Sequence, residues 1–111
     1  MPEARVKSEL WCQAAIRLGN ASGRYGAVLH RGDPDSGGVL VVLRGRGGLV
    51  VLSQTRDSAG DPAWLRGTGP APVNDPAADA YVARQRGFDP DLWVLEFECP
   101  DLLPPFEGRI L

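Results

Sequence analysis

Residues 39–43 read Val-Leu-Val-Val-Leu, five apolar side chains without a polar break. Successive side chains of a strand point to opposite faces, so an unbroken apolar run needs cover on both sides of its sheet. The run is too short for an ordinary helix, and the Gly-rich stretches on either side bound residues 38–44 as turns bound a strand. A buried central strand in turn demands flanking strands to pair its backbone and other elements to cover it.

The rest of the chain supplies both. Residues 25–31 (YGAVLHR) and 49–56 (LVVLSQTR) mix apolar residues with polar ends, as half-exposed strands do. The connections RGDPDSGG and GRGG are short enough for antiparallel hairpins. Ser8 is placed to cap a helix running to about Leu18, with Gly19 and Asn20 to stop it; Leu10, Trp11, Ala14, Ala15 and Leu18 share its inner face. Trp64 and Leu65 read as a brief strand. Asn74 or Asp75 caps a second helix with Pro76 in its first turn, Ala77, Tyr81 and Phe88 facing inward and Gly87 ending it. Residues 92–98 (LWVLEFE) alternate Trp93, Leu95 and Phe97 against Val94, Glu96 and Glu98. Residues 99–111, with three prolines, read as a Pro-rich surface arm.

The order α-β-β-β-(β)-α-β predicts one compact domain over residues 1–111. Its class is α/β at the α+β border: a mixed, mostly antiparallel sheet packed by two helices, with the last strand set parallel to a neighbour by the second helical crossover. A chain of 111 residues suits one core.

Several function classes are weakened by what these residues lack. The N-terminal stretch carries Glu3 and Glu9 in place of a secretory apolar region, and nothing approaches the ~18 apolar residues of a membrane span. The expectation is a cytoplasmic protein with no membrane partner. Cys12 and Cys99 lie far apart with His30 as the sole imidazole, so no metal is expected, and the two cysteines read as buried free thiols. His30 sits in a strand pattern and reads as a structural histidine. GRGG lies in a hairpin rather than between a strand and a helix, so no phosphate loop, cofactor motif or catalytic residue is assigned.

Asp-Pro occurs at 33–34, 61–62, 75–76 and 89–90, each time at an element boundary. Asp accepts backbone N–H bonds while Pro presets φ, so these pairs read as turns and caps. The rival is a carboxylate site formed if Asp33, Asp35, Asp89 and Asp91 meet in space. Helical phase from Ala77 puts Arg84 on the inner side of the second helix, where a guanidinium needs acceptors. Asp89 and Asp91 are nearest, which predicts a clasp, or a ligand cleft, of Arg84, Asp89, Asp91 and Trp93.

The twelve basic residues are eleven Arg and one Lys. From Arg5 to Arg66 the charge balance is +4, and from Gly67 to Leu111 it is −5. Arg24, Arg31, Arg44, Arg46 and Arg56, at strand ends and in the hairpin, are candidates for anion or nucleic-acid binding.

The segments KSELWCQAAIRL, HRGDPDSGGVLVVLR and YVARQRGFDPDLWVLEFE, in this order and spacing, resemble the alphaproteobacterial domain-of-unknown-function family 1491. The resemblance runs from about Val6 to Glu98. It implies a compact α/β domain in a bacterial cytoplasm and carries over no activity or catalytic residue. The function expected is that of a non-enzymatic accessory or interaction domain with an unknown protein partner; anion or nucleic-acid binding is the alternative.

Overall fold

The computed structural model describes residues 6–111; Glu3 and Arg5, which entered the readings above, lie outside the described residues. The elements in chain order are α1 (Ser8–Ala21), β1 (Gly26–His30), β2 (Val39–Arg44), β3 (Leu49–Arg56), β4 (Pro62–Arg66), α2 (Asp75–Phe88), β5 (Trp93–Glu98) and β6 (Arg109–Ile110). The strands form one mixed sheet in the order β1-β5-β2-β3-β4-β6.

The apolar run of β2 lies inside this sheet, with Val39 to Leu43 all buried. Its neighbours are β3, antiparallel through a hairpin, and β5, parallel after the crossover through α2. The expected hairpin between β1 and β2 does not form, because β5 lies between them and pairs β1 antiparallel. Trp93, Val94, Leu95 and Phe97 of β5 are all buried, whereas β1 is short and mostly exposed. The strand with more apolar surface takes the interior position, since burial is the larger gain.

One face of the sheet carries Val41, Leu43, Val50, Leu52, Trp93, Leu95 and Phe97 under α1. The other carries Leu40, Val42, Leu49, Val51 and Val94 under α2. On α1 the buried residues are Cys12, Ala15 and Gly19, so the helix is rolled from its expected face and leaves Leu10 56% and Leu18 51% exposed. Gly19 does not stop the helix, which runs on to Ala21. A Cβ at Gly19 would stand 2.8 Å from the Phe97 ring, so glycine here lets helix and sheet approach closely.

Two further expectations change on α2. Asn74 caps it, its side chain accepting from the Ala77 N–H, but the helix passes through Gly87 to Phe88. Its inner face is Ala78, Tyr81 and Val82 rather than Ala77, Tyr81 and Phe88; Phe88 is 78% exposed. The 99–111 arm is likewise more than a surface drape. Its Phe106 lies at 5.1 Å from Trp11, 5.2 Å from Trp64 and 6.1 Å from Phe97 between ring centroids, and β6 pairs parallel with β4.

Candidate functional site

The two Asp-Pro-Asp segments do come together, through backbone and not through carboxylates. Asp33 N–H donates to the Asp91 carbonyl at 3.0 Å, and the Trp93 indole N–H donates to the Asp33 carbonyl at 2.8 Å. Each first Asp turns back on its own loop: Asp33 Oδ2 accepts from the backbone N–H groups of Asp35 and Ser36 and from the Ser36 hydroxyl, and Asp89 Oδ1 accepts from Asp91 N–H. These hydrogen bonds hold the Asp33 carboxyl below its usual range. Gly32 and Gly37 permit the crossing, since a Cβ on either would strike the Asp91 carbonyl.

The start of α1 docks on the same loop. Ser8 is not the cap: its hydroxyl donates to the Gly37 carbonyl at 2.5 Å, and Glu9 N–H donates to the Pro34 carbonyl at 2.9 Å. Loop carbonyls thus take up orphan N–H groups of the first helical turn. Arg31 adds a 3.0 Å ion pair to Glu9 and lies 5.0 Å above the Trp93 ring. Three chain segments meet at this junction, which is structural in every contact it makes. Among the described residues, no group of three or more His, Cys, Asp or Glu side chains is placed to hold a metal ion.

Arg84 does not join the junction. With the inner face of α2 centred on Ala78 and Val82, Arg84 is exposed, and it makes no hydrogen bond or ion pair with Asp89 or Asp91 among the described residues. The predicted clasp is replaced by Asp89 bonding its own turn and Trp93 anchoring to Asp33.

The five candidate anion-binding arginines separate into two groups. Strand directions put Arg31 and Arg56 at one end of the sheet and Arg24, Arg44 and Arg46 at the other. Arg24 forks onto Asp101 at 2.6 and 2.8 Å, Arg44 holds Asp75 and Glu96, each at 3.1 Å, and Arg56 donates to the Gly60 carbonyl. Arg46 alone projects from the hairpin tip without such a contact among the described residues.

A different feature combines shape, exposure and unused backbone. β1 is a sheet edge, paired with β5 on one side and, among the described residues, with no strand on the other. Tyr25 C=O accepts from Glu98 N–H, so by the alternation of an antiparallel pair the N–H and C=O groups of Gly26 and Val28 point away from β5; the Gly26 N–H is taken by Asn20 Oδ1 at 3.2 Å, which leaves Gly26 C=O and both Val28 groups facing outward. Tyr25 is 63% exposed, and Val28 and Leu29 are exposed beside it. The opposite edge is different, because β6 covers Ala63 and Trp64 of β4.

Beside β1 a cleft of about 210 Å³ opens between the strand and α2. Leu29, Val42, Leu49 and Val82 make its apolar walls; His30, Asp79, Arg86 and Glu96 supply polar groups. His30, read from sequence as a structural histidine, is exposed here. The sequence signal for this cleft is Glu96, a carboxylate between the buried Leu95 and Phe97 of β5.

Comparison with known proteins follows the fold. The family described as "Protein of unknown function (DUF1491)" matches residues 6–107. The chain belongs to the DUF1491 family. A crystal structure of a DUF1491 family protein from Caulobacter crescentus CB15 superposes with a TM-score of 0.85 at 28% identity, covering 96% of this chain and 100% of that one. An NMR structure of a DUF1491 family protein from the same organism gives 0.82 at 28%, covering 98% and 99%. The solution structure of protein Atu0922 from A. tumefaciens gives 0.76 at 27%, covering 96% and 98%. No curated protein matches the chain. The DUF1491 fold is therefore shared by all three, and the family description assigns no activity. No helix among the described residues of this DUF1491 chain is long and apolar enough to cross a membrane.

Proposed function

We propose that this chain is a non-enzymatic, cytoplasmic interaction domain that takes up an extended segment of a partner protein as an added strand on β1. The observation that carries the reading is the asymmetry of the sheet among the described residues: the β4 edge is closed by β6, while the β1 edge keeps outward backbone groups at Val28 and exposed apolar side chains. Unpaired edges invite pairing and are commonly blunted. β1 has no Pro or Lys in Gly26–His30; it is blunted by the Asn20 side chain, which takes the Gly26 N–H, and by the bulge between Val28 and His30, so that straight pairing centres on Ala27 and Val28.

The adjoining cleft fits the same mode, in which backbone bonds supply affinity and side-chain pockets supply selectivity. At about 210 Å³ it is smaller than the ~300 Å³ at which sites for small organic ligands begin, and it suits one side chain. The dispersal and internal pairing of the arginines favour this reading over nucleic-acid binding. Buried free thiols at Cys12 and Cys99 accord with a reducing compartment.

The test uses Val28→Pro. Proline removes the outward N–H without touching the β1–β5 ladder, as edge strands tolerate. Selecting a random displayed-peptide library on the wild-type protein should yield peptides that shift the amide resonances of residues 26–30 and lose binding to Val28→Pro. Selected peptides that bind both proteins equally, or that shift only α1, overturn the reading.

A further inference from the structure

Resting on that reading, we infer that the partner segment is basic: it presents a Lys or Arg opposite Ala27, directed across β1 toward the carboxylates beside the cleft. The register places Ala27 against Glu96, and Glu96 against Val42 on the far side. A strand added outside β1 lies about 10 Å from β5, two strand spacings away. Between them on the α2 face of the sheet stands only the methyl group of Ala27. A short partner side chain there meets nothing, while a long one crosses over Ala27 to Glu96.

The charges at the far end of that lane are unbalanced. Glu96 shares the Arg44 guanidinium with Asp75, each at 3.1 Å. Glu98 follows Glu96 on the same face, two residues on, and Asp79 stands on the cleft side of α2. Against these four carboxylates are set, among the described residues, Arg44 and one further guanidinium, Arg86 on the cleft wall, with the His30 imidazole beside it. Glu96 is only partly exposed, so its charge is less screened than that of a free surface carboxylate. The apolar walls at Leu29, Val42 and Val82 suit the methylene stem of the same basic side chain, whose head stays at the wet rim. A glutamate or aspartate in its place would meet like charge, which excludes acidic segments.

Two synthetic heptapeptides test this, Thr-Val-Thr-X-Thr-Val-Thr, with X as Lys in one and Glu in the other. Each is titrated into isotope-labelled protein while the amides of residues 26–30 are followed. The Lys peptide should bind about tenfold more tightly than the Glu peptide, with the preference weakening as salt rises. The double variant Asp79→Asn, Glu98→Gln removes two exposed carboxylates outside the Arg44 pairs, and the preference should fall to about threefold or less. Equal binding of both peptides with shifts on β1 leaves strand addition standing and overturns the basic partner. Binding of neither peptide, or shifts confined to residues away from β1, overturns both.

Discussion

Asp33 shows how one carboxylate organises a loop that joins distant parts of the chain. Its three accepted hydrogen bonds hold its pKa low, as the backbone N–H groups of Asp61 and Ala59 do for Asp57, and the Arg24 fork and Leu103 N–H for Asp101. A folded-state pKa below the unfolded value means that the unfolded chain binds more protons in acid. The stabilisation from these three groups is therefore fully present above the ordinary aspartate value of about 3.9 and is lost as pH falls through their lowered folded values. Melting temperature should be insensitive to these groups near neutrality and drop steeply below about pH 4, with Asp33→Asn flattening that drop. The same substitution should lower the neutral-pH melting temperature more than Asp35→Asn does, since Asp35 makes only an exposed pair with Lys7. At the thiols, burial pushes Cys12 up to about 12 and raises Cys99. Neither should react with a thiol reagent at about pH 8 while the protein is folded, and both should react in denaturant; rapid native labelling of Cys12 would contradict its burial between α1 and the sheet.

At the scale of elements, two glycines read from sequence as helix stops both lie inside helices, for opposite reasons. Gly19 faces Phe97 and the Arg24 carbonyl, where an added Cβ would come within 2.5 Å of the carbonyl oxygen. Gly87 has open space around its missing Cβ and no left-handed φ. Gly19→Ala should cost about 1–3 kcal/mol through overpacking, whereas Gly87→Ala should stabilise by about 0.5–1 kcal/mol through helix propensity. Denaturant melts of the two variants decide it, and equal effects would mean that helix–sheet contact at Gly19 is looser than described. Element type was readable in both helices because apolar spacing and the Asn74-Asp75-Pro76 start are local signals. The buried face was less readable: α1 carries apolar residues around most of its circumference, so Leu10 and Leu18 were as eligible as Cys12 and Gly19 until the sheet was in place.

For the whole molecule, the C-terminal arm decides which edge of the sheet stays open. Phe106 fills the gap among Trp11, Trp64 and Phe97, and that anchor carries β6 onto β4. Phe106→Ala should cost about 3–5 kcal/mol by opening a cavity in a packed aromatic cluster. It should also expose the β4 edge, seen as faster hydrogen exchange at residues 62–66 than at 26–30; unchanged exchange at β4 would show that β6 holds independently of its anchor. The sequence by itself determined the two helices and the strands other than β6, the burial of residues 39–43, the α2 crossover and the turn role of Asp33-Pro34 and Asp89-Pro90, because each rests on residues within a few positions of one another. Tertiary structure alone decided the place of β5 between β1 and β2, the rotation of α1 and α2, the meeting of the two Asp-Pro-Asp loops, the anchoring of the arm and the cleft beside β1. Those features depend on which apolar surfaces compete best for the interior, and that competition is settled between segments far apart in the chain.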